Sequence, residues 1–519
     1  MKSAAANIAH ALMCLLVALY TAMLAVLMRR DTMPLPLFFL IAAGVFLLGM
    51  LLSRRLGNMG FSLSAQPAPA DRRVFFAAAG FCLLVQLTYL IGFYPGGFSS
   101  DNVYQWRQIV GDAGLSDWHP ALHTLTLALL ARISPNPALA NFAQAVCYAL
   151  AVGHMVSTLW RWRVPRVLCV LVALYLGANP GISNLMAFPW KDCAFAICVL
   201  VLAAQMFSVH ASRGAWLMRW RNVLALGITL CLSAILRHNG IALTLAAGVW
   251  LLISFPRQLR RMLCVLLCAV ALFTGIKGPF YASFGIGKEE TRIDELVGLP
   301  MTILSHVYVK APESLDEDIV TFLEDVAPRE VYTEHRRTGD WNETKWYVGY
   351  IYTNKPYTVL DIFSFALRAA LAKPSLGLEA LGLLWQMPMW PVSDAYWRIS
   401  PHVDPSAGSF GIEQHQLALF ARPLNWLSRI SSHPALAWAL WLPGFYLLSI
   451  MIFCVLFARQ RPLSALLMPA MLIAYHLATC VMLSSSTDYR FFLSLMLTAP
   501  AALLALIAHP APASRKETL

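Results

Sequence analysis

Twelve long apolar runs dictate what this chain can become. Hydrocarbon supplies no water to backbone N–H and C=O groups, so a crossing segment must close its hydrogen bonds within itself. A helix of about 20 apolar residues does this across a bilayer core. The runs cover approximately 8–28, 34–53, 74–93, 138–160, 164–181, 191–209, 222–237, 240–255, 262–282, 434–457, 462–483 and 490–508. The expected fold class is an all-α polytopic membrane protein of about twelve spans. Composition excludes the other classes. Charged residues make up 13% of the 519 and apolar residues 59%, whereas soluble domains carry about 25% charged residues. An ordinary soluble enzyme, a secreted disulfide scaffold and a disordered chain are ruled out. All 11 cysteines lie in or at the ends of apolar runs, so neither a disulfide framework nor a CxxC metal site is expected.

Charge sets the orientation. The net charge of +12 divides unevenly, with 13 Lys/Arg against 19 Asp/Glu in 283–432 and 26 against 8 elsewhere. Short cytoplasmic loops collect Lys and Arg. With the N-terminus inside, the short inner loops and termini hold 18 basic residues and the short outer loops 7. Both termini are then cytoplasmic. The first run ends in Arg29-Arg30-Asp31 without a small-residue cleavage site, and reads as a retained anchor. The apolar run His119 to Ile133 is too short to span. Residues 94–136 therefore read as an outer loop with two membrane-surface helices. The first runs from about Asp101, with Ser99 or Ser100 as cap and Val103, Trp106 and Val110 at helical spacing; the second starts at His119-Pro120.

Three regions follow: a transmembrane module 1–282 containing the outer loop 94–136, an outer region 283–432, and a transmembrane module 433–519 with a short tail. The outer region should form short helices against the membrane face, with Glu313 to Asp325 as a solvated helix face and a floppy stretch near 335–345. No internal repeat is present.

Ionisable residues are nearly absent from the centres of the runs and gather at their outer ends, where they are costly and commonly functional. The first outer loop carries Asp101, His119 and His123. Later ones carry Lys191-Asp192, Arg237-His238-Asn239, Lys277 and Asp488-Tyr489-Arg490. Five loops or helix ends thus bring acids, imidazoles and cations to one depth, as for a single outward-opening chamber. The cations Lys191, Arg237, Lys277 and Arg490 suit an anionic head group such as a lipid phosphate. Asp101 suits the removal of a proton from an attacking hydroxyl. Each residue also has a plainer role open to it. Asp101 could cap a helix, Lys191 and Arg237 could reach for head groups, His119 or His123 could line a rim, and Asp488 could pair with Arg490.

The ordered segments FYPGGFSSDNVYQW, DWHPALHTLTLALL, FPWKDCAFA, LRHNGIAL and DYRFFLSL resemble the GT-C superfamily of membrane glycosyltransferases. The likeness is to bacterial relatives of protein mannosyltransferases and aminoarabinose transferases, and to uncharacterised bacterial multipass proteins with YPG, Ser-x-Asp and His-Pro. It covers about 74–260 and, more loosely, 484–500. It implies a GT-C-like fold in a bacterial inner membrane, with a periplasmic active site moving a sugar from a polyprenyl-phosphate donor to a glycan, glycolipid or protein acceptor. It implies Asp101, Asp192 and His119 as catalytic residues. Lys191, Arg237, His238, Asn239, Lys277, Tyr489, Arg490 and His123 would bind substrate. Relatives often carry Asp-Glu where this chain has Asp101-Asn102, so the resemblance fixes no cofactor and leaves a divalent metal open. An O-antigen-type polymerase or ligase is the nearest alternative. A lipid-linked-sugar transporter or flippase is the alternative from another class. Transporters place polar groups near the midplane on discontinuous helices, and the sequence gives no sign of these. An assembly protein is a further alternative.

Overall fold

The computed structural model describes residues 2–29, 35–286, 296–334, 357–385, 399–457, 459–482 and 488–509, together with 341, 344, 345 and 389. The described residues are almost entirely helical. In chain order the first half comprises α1 (Lys2–Arg29), α2 (Leu35–Leu56), α3 (Arg72–Gly92), α4 (Ser100–Val110), α5 (Ala121–Ile133) and α6 (Ala138–Arg161). It continues with α7 (Arg166–Ala178), α8 (Pro180–Met186), α9 (Lys191–Ala211), α10 (Trp220–Ile235), α11 (Gly240–Ser254) and α12 (Leu259–Gly275). Seven helices among the described residues are long and apolar enough to cross a membrane, and two bent helix pairs bring the total to nine. The other three expected spans are helical but shorter, with apolar stretches at His10–Leu24, Trp220–Ile235 and Gly240–Ser254.

The bundle is built around α9. Of its apolar stretch 89% is buried, against 11% for α2 and for the span Pro256–Ser283. A helix apolar on all sides belongs inside, and α9 packs against α6, α10 and the helix Leu493–Ile507. Phe195, Val199, Leu202, Met206 and Phe207 belong to the main core. The peripheral helices leave Leu47, Leu51, Leu267 and Val270 exposed, as a lipid-facing surface requires.

The two bent spans correct the reading that discontinuous helices are missing. α7 and α8 meet at 48°, and Pro434–Leu440 meets Pro443–Phe457 at 65°. Each second half begins with a proline, which lacks an N–H and clashes with the preceding turn. At the first break the Asn179 Oδ1 accepts from Gly181 N at 2.9 Å and Ile182 N at 3.2 Å. The breaks face each other, since a Cβ on Gly181 would lie 2.3 Å from the Leu440 carbonyl oxygen.

The described residues of 283–432 enter more than one core cluster. Gly298–Lys310, Glu317–Val326, Val359–Ala372 and Pro374–Leu384 share a core of Met301, Leu304, Phe322, Leu323, Ile362 and Ala366, separate from that of the bundle. The acidic run is partly a solvated face, but Asp316 and Asp318 pair with Arg368. Residues 399–416 instead lie against the segment between α3 and α4. Phe98 N donates to His402 O at 2.8 Å, Asp404 N donates to Phe98 O at 2.7 Å, and Phe93–Tyr94 pairs antiparallel with His415–Gln416. The stretch near 335–345 lies outside the described residues, apart from Trp341, Thr344 and Lys345.

Candidate active site

Two loops that precede helices build the site. In the first, Tyr94-Pro95 is a cis peptide and Gly96 has a φ of +97°. A Cβ at Gly96 would lie 2.3 Å from the Asn141 amide, and one at Gly97 would lie 2.3 Å from the Phe188 ring. Gly96 therefore lets this loop sit against Asn141 of α6, and Gly97 lets it sit directly on the second loop, Phe188-Pro189-Trp190, where Phe188 stacks on Trp190 at 4.1 Å. α4 then starts with Ser99 as its cap and Asn102 completing a capping box. Asn102 Nδ2 donates to Pro189 O at 2.9 Å, and Trp190 Nε1 donates to Ser99 Oγ at 2.6 Å. These bonds fix the start of α4 beside the start of α9.

Asp101 occupies the first turn of α4 without capping it. Its Oδ2 accepts from Lys191 Nζ at 3.4 Å and from Arg490 Nη1 at 2.9 Å. The two cations lie 90 and 389 residues away in sequence. Arg490 also holds Asp488, with Nε 2.6 Å from Oδ2, and its guanidinium lies over the Trp190 indole at 4.9 Å. Lys191 Nζ donates to His119 Nδ1 at 2.6 Å, and the His119 ring meets Tyr104 edge-on at 5.3 Å.

A second layer lies beneath. Arg237 Nη1 is 3.0 Å from Asp192 Oδ1, with side chains 7% and 0% exposed. The guanidinium also donates to Phe491 O at 3.2 Å and lies over the Phe491 ring at 4.8 Å. Asp192 sits in the first turn of α9 and Arg237 just past the end of α10, each at the helix end whose dipole favours its charge. The Asp101, Asp488, Lys191 and Arg490 side chains are 26%, 23%, 16% and 17% exposed. Solvent thus reaches the upper layer and not the lower.

The electrostatics of the upper layer are uneven. Burial alone would raise the Asp101 carboxyl, but Lys191 and then Arg490 outweigh it and hold it far below the ordinary carboxylate range. Asp488 is pushed up by burial despite Arg490. Two acids on one guanidinium are therefore driven apart, an arrangement that suits different tasks. Burial, reinforced by Lys191, lowers His119 to about 3, so it is neutral and its Nδ1 accepts the hydrogen bond from the Lys191 ammonium. Burial likewise lowers His123 to about 4. Three carboxylates and three cations balance around a neutral imidazole.

Of the residues singled out from sequence, Asp101, His119, Lys191, Asp192, Arg237 and Arg490 converge. His123 is tied beside them through Gln105 Nε2, 3.0 Å from His123 Nδ1. Lys277 does not face this group. It pairs with Asp117, while His238 Nε2 donates to the Asp117 carbonyl at 2.9 Å. Asp117 Oδ1 in turn accepts from Ala121 N at 2.8 Å, starting α5, so this second cluster anchors the loop that carries His119. Asn239 donates to Thr479 Oγ1 at 2.9 Å, and Tyr489 donates to Gly181 O at 3.2 Å; both join helices away from the exposed acid. Sequence reasoning missed Asp117, Asn102 and Trp190 as structural partners. The available signal was their position inside the same short motifs. Among the described residues no three His, Cys, Asp or Glu side chains converge to hold a metal ion, and Asp101, Asp192 and Asp488 each already face a cation. No family model, no curated protein and no solved structure matches this chain.

Proposed function

We propose that this chain is a GT-C-like membrane glycosyltransferase of twelve spans in a bacterial inner membrane, with its site on the periplasmic face. It moves a sugar from a polyprenyl-phosphate donor to a glycan, glycolipid or protein acceptor. The observation that supports this best is the solvent-reachable carboxylate of Asp101, shared by two solvent-reachable cations, Lys191 and Arg490, at the ends of buried helices. In the reaction the acceptor oxygen bonds to the anomeric carbon as its proton passes to the Asp101 carboxylate. The bond from that carbon to the phosphate oxygen breaks, and the polyprenyl phosphate departs with its charge met by Lys191 and Arg490. Cations positioned where charge develops are a large source of rate. Arg237, sealed against Asp192, serves as a positioning residue beneath them.

The test is transfer of a labelled sugar in membranes. Asp101→Asn should lower the rate about 10²–10⁴-fold, the usual worth of general base catalysis, and near wild-type transfer would sink the reading. One observation favours a second reading. Two broken spans meet at Gly181 and Leu440, and secondary transporters build their binding sites from discontinuous helices, which favours a lipid-linked-sugar transporter. Under that reading, proteoliposomes would move the lipid-linked sugar across the bilayer without transferring it.

A further inference from the structure

The cations assigned above to phosphate are already paired, and the way they are paired has a direction. One oxygen, Asp101 Oδ2, takes both Lys191 Nζ at 3.4 Å and Arg490 Nη1 at 2.9 Å. Each cation has a second tether that does not involve Asp101. Arg490 keeps Asp488 on Nε at 2.6 Å and the face of Trp190 at 4.9 Å. Lys191 keeps His119 Nδ1 at 2.6 Å. Asp101 has no such reserve, since among the described residues its side chain accepts from those two cations alone. An incoming phosphate anion therefore meets two cations whose positions are secured and one carboxylate that is held only by them. The remaining cation of the group, Arg237, is closed off against Asp192.

Resting on the phosphate reading, we infer that a phosphate group binds this site by displacing Asp101 from Lys191 and Arg490. The same two cations then hold the carboxylate before binding and the phosphate after it. The displacement has a chemical consequence. A carboxylate held by two cations is a weak base, because its charge is already satisfied. Once the donor's phosphate takes those cations, Asp101 has lost them and faces a nearby anion instead, and its affinity for a proton rises. Asp101 thus becomes competent to accept the acceptor's proton only when the donor is in place. Asp488 and His119 are positioning residues in this scheme, since they keep the cations where the phosphate needs them.

The experiment measures binding to the purified full-length chain in nanodiscs, with a short-chain polyprenyl monophosphate as one probe and inorganic phosphate as the other. Asp101→Asn should tighten polyprenyl-phosphate binding at least ten-fold, because the competitor has lost its charge. Asp488→Asn removes the same charge from the same guanidinium but on the retained side, so it should tighten binding distinctly less. Arg490→Gln and Lys191→Gln should each weaken it at least ten-fold. Asp101→Ser repeats the test should the Asn variant fail to fold. Tightening with both probes assigns recognition to phosphate itself, and tightening with the lipid alone assigns it to the polyprenyl form; either supports displacement. Unchanged or weaker binding in Asp101→Asn and Asp101→Ser, or equal tightening in Asp488→Asn, overturns displacement while leaving the phosphate site intact. If Arg490→Gln and Lys191→Gln also leave binding unchanged, the phosphate reading itself fails.

Discussion

Arg237→Met isolates the energetics of the lower layer. It removes the guanidinium from Asp192, whose side chain is fully buried and whose oxygens accept no hydrogen bond among the described residues. At the observed 3.0 Å, two unit charges at an effective dielectric of about 20 attract by roughly 5 kcal/mol. Breaking a buried pair by deleting one partner typically costs about 3–5 kcal/mol, because the survivor is a desolvated charge with nothing to answer it. The expected loss for Arg237→Met is therefore about 3–5 kcal/mol. Asp192→Asn should cost less, since Arg237 keeps the Phe491 carbonyl at 3.2 Å and the Phe491 ring. The double variant Asp192→Asn with Arg237→Met should recover much of the loss, because no buried charge remains. Reversible denaturant unfolding in detergent micelles, read as a double-mutant cycle, measures all three. A loss below about 1 kcal/mol for Arg237→Met, or a double variant as unstable as the two singles added together, would refute the reasoning.

Other outcomes follow from the same geometry. Gly97→Ala should destabilise by about 1–3 kcal/mol and lower site occupancy, because the new methyl meets the Phe188 ring at 2.3 Å; thermal unfolding against Gly114→Ala, where a Cβ has open space, is the control. His119 and His123 have folded values of about 3 and about 4 against an ordinary 6.5. Their contribution is whole above pH 6.5 and is lost as pH falls toward those values, by at most about 1.4 kcal/mol per pH unit each, so His119→Asn should flatten the acid limb of a stability–pH profile. Lys277→Met should loosen 111–120 by leaving Asp117 unpaired, seen as faster amide exchange there, and Asp117→Asn added to it should restore protection. Cysteines placed singly at 163 and 340 in a Cys-free background should label from the inside and the outside respectively; the reverse pattern would invert the topology.

The sequence by itself determined the helices and their order. Span length is a local property, since hydrocarbon demands that each crossing segment satisfy its own backbone, and the apolar runs coincide with helices for that reason. The start of α4 was equally legible, because a capping box joins residues only three apart, Ser99 and Asn102. The two breaks also left local signals, the prolines and glycines of Asn179-Pro180-Gly181 and Leu442-Pro443-Gly444. Placement near helix ends was readable too, as ionisable groups avoid hydrocarbon. The local pair of Asp488 with Arg490 was legible in the sequence, but tertiary structure alone decided which distant acid meets which cation. Arg490 reaches Asp101 across 389 residues, while Lys277, of the same charge and also near a helix end, is taken by Asp117. Charge and a place near a helix end do not fix a residue's azimuth around the bundle. The azimuth follows from how α9 packs against its neighbours, and that packing is a collective outcome of many side chains rather than a property of any one motif.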